Sequence, residues 1–145
     1  MECILETQGY AARFDFKPSG DPVCEFVLVT EFVLHRELGN VAVRSGPAHV
    51  SDEEVGRLIR YFEEHIATLA TQPGHDSFEF LTYGLTFTLR AGAGIMTEGT
   101  PYFDLLFMVT VDPGDYVMVG GDCSVLVSEV RSFLDALRRV REALR

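Results

Sequence analysis

The sequence predicts an α+β fold, in which a mainly antiparallel sheet of six to seven strands carries two amphipathic helices in the order βββαβββ(β)α. Three observations predict it: segments that alternate apolar and polar residues, turn-type residues between neighbouring segments, and only two stretches with helical periodicity. Runs of strands interrupted by two helices are typical of the α+β class. No linker or low-complexity segment divides the 145 residues, so we expect a single domain over residues 1–145.

Three strands are predicted before the first helix. Residues 10–16 alternate aromatic with charged side chains, as a half-buried strand requires. Residues 23–36 form a longer strand, and Gly39 and Asn40 predict a tight hairpin that leads into a short strand over 41–44. One face of the long strand is expected to lie in the core: Cys24, Phe26, Leu28, Thr30, Phe32 and Leu34.

The middle of the chain predicts an amphipathic helix over residues 51–71. Ser51 and Glu54 form a capping-box pattern at its start, and Gln72-Pro73-Gly74 ends it. Gly56 costs about 1 kcal/mol in helix propensity, which the burial of several large side chains outweighs. Apolar residues recur at three- and four-residue steps and are expected to pack on the sheet: Val55, Leu58, Ile59, Phe62, Ile66, Leu69 and Ala70.

Further strands are predicted in the second half. Residues 83–90 alternate apolar with polar or small residues, and the glycine-rich segment 91–94 predicts a turn. Residues 103–111 and 116–119 flank Asp112-Pro113-Gly114-Asp115, which is a strong hairpin signal because Pro and Gly occupy its centre.

The terminal helix is expected to begin between Asp122 and Ser128. Gly120-Gly121-Asp122 is interpreted as the end of the preceding strand and the start of the helix cap. The arginines of this helix cluster near its C-terminal end, where the helix dipole favours positive charge. Its apolar face comprises Val127, Val130, Phe133, Leu134, Leu137, Val140 and Leu144.

Composition favours a cytoplasmic protein without a membrane partner. The chain opens with Met-Glu-Cys-Ile-Leu-Glu, which lacks the basic start and apolar run of a secretory signal, and no stretch approaches the roughly 18 continuous apolar residues of a membrane span. Three widely spaced cysteines, Cys3, Cys24 and Cys123, argue for buried free thiols rather than a disulfide framework. A formal net charge of -10 makes nucleic acid a poor partner.

No catalytic, metal or cofactor site is predicted. The four histidines lack the short spacings from which zinc sites are assembled, and each is interpreted as solvated or locally hydrogen-bonded: His35, His49, His65 and His75. Cys123 and Ser124 follow two glycines at the expected start of a helix, which would suit a nucleophile, but strand termination and helix capping explain that segment.

The strongest functional signal is the segregation of charge. Residues 61–130 contain ten carboxylates and a single cation, Arg90, whereas five arginines follow in the final helix segment. A largely acidic face attracts basic molecules over a long range, so a basic protein is the expected partner. The residues nominated for this contact lie in the segment 91–128, which has no Lys or Arg: Glu98, Asp104, Asp112, Asp115 and Asp122.

The pattern of residues 81–144 resembles the small immunity-type proteins that accompany bacterial polymorphic toxins, in particular the group related to the WapI immunity protein. The resemblance rests on the helix over 51–71, the strand motif Leu85-Thr-Phe-Thr-Leu, a strand pair, and a terminal helix containing Phe133-Leu134 and Leu137. It implies a bacterial cytoplasmic protein that is not an enzyme and that blocks a toxin domain by covering its active surface.

Two alternatives remain open at this stage. The outer face of the strand 23–36 carries Val27, Val29 and Val33, which favours a structural protein that self-associates into a homo-oligomer. The Phe and Tyr content is also compatible with a small-ligand carrier or enzyme that has a pocket between helix and sheet.

Overall fold

The computed structural model describes residues 1–81, 86–97 and 99–144. Within these ranges, five strands precede the first helix, and four strands lie between it and the second. The elements are β1 (Glu2–Glu6), β2 (Tyr10–Pro18), β3 (Phe26–Leu34), β4 (Ala42–Arg44), β5 (Ala48–Val50), α1 (Asp52–Leu69), β6 (Phe80–Leu81), β7 (Phe87–Ile95), β8 (Tyr102–Asp112), β9 (Val117–Leu126) and α2 (Val127–Leu144). The predicted α+β class, with mainly antiparallel strands and two helices, is confirmed.

The described strands form two sheets rather than one, and they number nine rather than six to seven. The N-terminal sheet has the order β1-β2-β3-β4, with β5 also paired to β3. Strands β1 and β5 were not predicted because they are short, five and three residues respectively, so that neither shows a clear alternation of apolar and polar residues. The predicted inner face of β3 is confirmed from Phe26 to Phe32, whose alternate residues are buried.

The connection between β3 and β4 differs from the predicted two-residue hairpin. A short 3-10 turn, Arg36–Leu38, intervenes, and the amide of Leu34 donates to the Val41 carbonyl at 2.9 Å. Gly39 does adopt a positive φ of 145°, which favours glycine. The longer connection carries Leu38 to the surface.

The C-terminal sheet has the order β6-β7-β8-β9, all antiparallel. The predicted hairpin at Asp112–Asp115 joins β8 to β9, whereas the predicted turn at residues 91–94 is wrong. That segment lies inside β7 and forms a bulge between Ala91 and Gly94. A Cβ on Gly94 would lie 2.1 Å from the Tyr102 carbonyl oxygen, so close strand approach explains this glycine. Of the predicted strand 83–90, residues 83–85 lie outside the described part.

The segment Gly120-Gly121-Asp122 also lies within a strand, so its interpretation as a strand end and helix cap is wrong. Strand β9 continues to Leu126, and α2 begins at Val127. A Cβ on Gly120 would lie only 1.9 Å from the carbonyl oxygen of Phe107 on β8. Glycine is therefore required by the approach of two backbones, a feature that local sequence does not distinguish from a turn.

Helix α1 begins as predicted. The amide of Glu54 donates to the Ser51 hydroxyl at 3.1 Å, and the Ser51 amide donates to the Glu54 carboxylate at 3.0 Å, which completes the capping box. The predicted apolar stripe is buried from Val55 to Leu69, whereas Ala70, the C-cap residue, is exposed. Neither helix, among the described residues, is long and apolar enough to cross a membrane.

Aromatic side chains join both sheets and both helices in one core. The ring of Phe14 on β2 lies 5.1 Å from Phe87 on β7, 5.7 Å from Phe107 on β8 and 5.1 Å from Phe133 on α2. Phe133 in turn lies 6.3 Å from Phe62 on α1. These rings place side chains of β2, β7, β8, α1 and α2 in a single hydrophobic core.

Candidate functional site

Two of the nominated carboxylates lie together on the outer face of the C-terminal sheet. Asp104 on β8 pairs with Ser124, and Asp122 on β9 pairs with Leu106, so the two aspartates are diagonal neighbours with side chains on the same face. Both are exposed. The Ser124 hydroxyl donates to Asp104 Oδ1 at 3.3 Å. Strand alternation and antiparallel register together account for this pairing.

The two aspartates line a shallow depression of about 130 Å³. A third carboxylate, Asp76, lines it from the loop that follows α1, and Arg90 is the one cation among the described residues of its lining. Within the part of the chain that the structure describes, none of these four side chains forms an ion pair within 4.0 Å. The depression therefore presents three carboxylates against one guanidinium.

Asp76 was not nominated from the sequence, because its place depends on the path of a loop. The amide of Ser77 donates to the Ala91 carbonyl, and the amide of Gly94 donates to the Pro73 carbonyl, both at 2.9 Å. These bonds hold the loop along β7, with Asp76 Oδ1 only 3.0 Å from the point where a Gly92 Cβ would lie. Glycine at position 92 thus leaves room for the third carboxylate.

The remaining nominated residues lie elsewhere. Asp112 and Asp115 are at the β8–β9 turn, where Asp112 Oδ1 accepts from the amides of Gly114 at 3.0 Å and Asp115 at 3.4 Å. Eight residues of strand separate Asp112 from Asp104, a distance of about 26 Å at the usual rise. Asp112 and Asp115 thus form a second acidic group at the hairpin tip. Glu98 lies outside the described residues.

Several charges outside this depression have an ion-pair partner nearby. The guanidinium of Arg141 on α2 contacts both carboxylate oxygens of Asp52 at 2.8 Å, and this hydrogen bonding raises the pKa of Arg141. Arg138 lies 3.2 Å from Glu63 on α1. On the N-terminal sheet, Arg13 contacts Glu2 at 2.9 Å. The arginine-rich helix therefore neutralises part of the acid of its own surroundings, and the outer face of the C-terminal sheet keeps its excess.

A second polar cluster lies beside the loop that carries Asp76. His65 is 1% exposed; its Nδ1 lies 2.6 Å from the Ser77 hydroxyl and its Nε2 lies 2.8 Å from the Gly92 carbonyl. Since a carbonyl only accepts, Nε2 carries the proton and Nδ1 accepts from Ser77. Burial lowers the pKa of His65, so the ring is neutral near pH 7. His75 Nε2 lies 3.4 Å from the same hydroxyl.

The histidine cluster fastens the loop to β7. His65 is locally hydrogen-bonded, in agreement with its interpretation from the sequence. A Ser77 hydroxyl that donates to an imidazole has the first contact of a nucleophile–base pair. The Ser77 amide, however, already donates to Ala91, so it does not serve an oxyanion. Through these hydrogen bonds the cluster holds the loop that carries Asp76 against β7.

The cysteines are all free. Cys3 is buried, and burial raises the pKa of its thiol to about 11; Cys24 and Cys123 are half-buried. Cys123 lies inside β9, with Sγ donating to the Thr7 hydroxyl at 3.1 Å, rather than at a strand-to-helix turn. Among the described residues, no group of three or more His, Cys, Asp or Glu side chains is arranged to hold a metal ion.

Comparison with known proteins adds no family. No protein-family model matches the chain, and no curated protein shows significant similarity to it. The chain is an α+β protein with a group of three carboxylates at the outer side of its C-terminal sheet. We call this group, Asp76, Asp104 and Asp122 around Arg90, the acidic face.

Proposed function

We propose that the protein is a non-catalytic binding module that engages a basic protein through the acidic face. The observation that supports this proposal most is the placement of Asp76, Asp104 and Asp122 around one shallow depression without an ion pair among the described residues. Carboxylates that have no ion pair among the described residues are available to Lys and Arg side chains of a partner. Complementary charge of this kind accelerates encounter and fixes orientation.

An immunity or inhibitor role in the bacterial cytoplasm is the form of this function that we propose. The expected target is a basic toxin domain, whose active surface the acidic face would cover. Many nuclease toxins carry basic surfaces because their substrates are polyanions. An inhibitor that presents carboxylates in place of phosphates competes for those same cations.

Self-association through the N-terminal sheet is less favoured. Val27, Val29 and Val33 are half-buried on its outer face. A row of charge crosses that face between Val29 and Val33, because Glu31 pairs with Arg44 on one side and with Arg13 on the other. The apolar surface is therefore divided rather than continuous. A pocket between helix and sheet is also less favoured, since aromatic rings occupy that space.

The proposal is tested with the product of the gene adjacent to this one in its native host. The wild-type protein and the double variant Asp104→Asn/Asp122→Asn are titrated with that product at low and high ionic strength. We expect micromolar or tighter binding that weakens at least about tenfold in the double variant and weakens in salt. Cells that express the toxin should be protected by the wild type more than by the variant.

A matched control removes the same charge elsewhere. Glu64 and Glu142 are exposed on the helices, and Glu64→Gln/Glu142→Gln leaves the same net charge as the sheet variant. We expect this control to bind like the wild type. Equal weakening in both double variants would show that net charge, rather than the acidic face, governs binding, and absence of any binding would reject the proposal.

A further inference from the structure

An open apolar cleft lies beside the acidic face, where the β3–β4 connection passes β9. It has a volume of about 380 Å³. Tyr10 and Phe32 form its buried floor, with ring centroids 4.9 Å apart. Leu38 and Val41 form one wall and are 61% and 41% exposed, and Val119 contributes to the wall on β9.

Glycine keeps this cleft open. A Cβ on Gly121 would lie 3.3 Å from the Phe32 ring and 3.4 Å from the Tyr10 ring, so a larger residue would fill the space above the floor. The neighbouring Gly120 also lacks a side chain, and position 120 admits none because of the Phe107 carbonyl. Both residues leave the backbone of β9 accessible from the cleft.

Strand β9 is the last strand of its sheet, so one of its edges faces away from β8. Near its end, the Ser124 carbonyl on that edge accepts from the Gln8 amide at 3.0 Å. For residues 117–123, no backbone bond to a segment other than β8 is found in the described ranges. This stretch can pair with an added strand, which is a common mode of peptide recognition.

Asp122 connects the two features, since it lines both the apolar cleft and the acidic depression. Successive side chains of a strand point to opposite faces of its sheet. A segment paired with β9 would therefore direct every second side chain into the cleft and the others toward Asp122 and Asp104. Charge complementarity then selects Lys or Arg on the outer side, and the cleft selects apolar side chains on the inner side.

We propose that β9 and the cleft bind an extended segment of the basic partner in which Lys or Arg alternates with large apolar residues. This inference rests on the proposed function and specifies how that partner is recognised. Burial of one or two apolar side chains of the segment in the cleft provides affinity. The acidic face selects segments with Lys or Arg and fixes the register in which they pair with β9.

The experiment uses two synthetic peptides of identical composition as probes. The first is Lys-Leu-Lys-Phe-Lys-Leu-Lys with blocked ends, which alternates; the second, Lys-Lys-Leu-Phe-Leu-Lys-Lys, does not. We expect the alternating peptide to bind the full chain at least about tenfold more tightly in a titration followed by amide chemical shifts. Its shifts should include residues 117–123, whose amides should also exchange more slowly with solvent.

Two substitutions separate the cleft from the charge. Leu38→Ser removes apolar surface from an exposed side chain, so the variant should fold normally, and it should weaken the alternating peptide about fivefold or more. Asp122→Asn should weaken both peptides. In the titration with the adjacent gene product, Leu38→Ser should also weaken binding.

The outcomes distinguish this inference from the proposed function. Equal affinity for the two peptides, or wild-type affinity in Leu38→Ser, overturns the inference about the cleft. The proposed function still holds in that case if binding of the adjacent gene product depends on Asp104 and Asp122. Loss of dependence on those aspartates overturns the proposed function. Shifts confined to the acidic face, with residues 117–123 unaffected, likewise overturn strand addition.

Discussion

Two hydrogen bonds of 2.8 Å join the guanidinium of Arg141 on α2 to the carboxylate of Asp52 in the first turn of α1. The contact ties the two helices together across 89 residues of sequence. The guanidinium of Arg141 lies over Gly56, where a Cβ would be 3.2 Å from Nη1 and 3.3 Å from Nη2 of that arginine. The glycine within α1 is thus explained by a side chain from the other helix.

Gly56→Ala should therefore depend on Arg141. In an unobstructed helix this substitution gains about 1 kcal/mol. In the wild type we expect at most half of that gain, since Arg141 must shift away from Asp52. In an Arg141→Ala background, the full gain should appear. Urea denaturation of the four proteins measures the coupling, and additive effects within about 0.3 kcal/mol would contradict the interpretation.

Ser51→Ala should destabilise the protein by about 1 kcal/mol, because the Glu54 amide loses its acceptor and the capping box is broken. Ser128→Ala is the matched control, since Ser128 is exposed and lies within α2 rather than at its cap. We expect that control to change stability by less than about 0.5 kcal/mol. Chemical denaturation of both variants gives the comparison; similar losses in the two would refute it.

Gly120→Ala should be among the most damaging single-methyl additions, at about 3 kcal/mol or more, because its Cβ would overlap the Phe107 carbonyl. Gly74→Ala is the control, since a Cβ there meets nothing within 4 Å. The free energies of unfolding of the two variants, measured by thermal and chemical denaturation, should differ by that amount. A Gly120→Ala protein of wild-type stability would show that β8 and β9 do not approach as described.

His65 should make stability fall in mild acid. Its pKa is lowered by burial, so the unfolded chain, with an ordinary histidine pKa near 6.5, binds the proton more readily than the folded one. The contribution of His65 is therefore complete above about pH 6.5 and is lost as the pH falls below it. Protonation also converts Nδ1 from the acceptor of the Ser77 hydroxyl into a donor.

Unfolding free energies measured between pH 7.5 and 5.5 test this expectation. His65→Gln should be less stable at neutral pH and should show a flatter dependence on pH over that range. His49→Gln serves as the control because His49 is exposed, and it should keep the wild-type slope. An unchanged slope in His65→Gln would assign the pH dependence to other groups.

The sequence correctly predicted those elements whose hydrogen bonds join residues close to one another in the chain. The capping box at Ser51 and the hairpin at Asp112–Asp115 are formed by residues within a few positions of one another, so the sequence contains their causes. Gly92 and Gly94 were predicted to form a turn, and Gly120 and Gly121 were predicted to end a strand before a helix cap, but all four lie within strands. Their cause is a neighbouring strand or side chain distant in sequence, which no local pattern reveals.

The candidate site follows the same division. Strand alternation is enough to place Asp104 on one side of β8, but its pairing with Asp122 depends on the register between β8 and β9. Asp76 joins them only through the hydrogen bonds of its loop to β7. Asp112 is separated from them because the same strand that carries Asp104 extends away to the hairpin tip.

By itself the sequence determined the α+β class, the two amphipathic helices, the predominance of antiparallel strands and the acidic character of the second half, because these depend on periodicity, turn chemistry and composition. Only the tertiary structure decided that the strands divide into two sheets, that Arg138 and Arg141 pair with acids on α1, and that an acidic face borders an apolar cleft along β9. The physical reason is that these features are contacts between segments far apart in the chain, whose energies depend on distance in space.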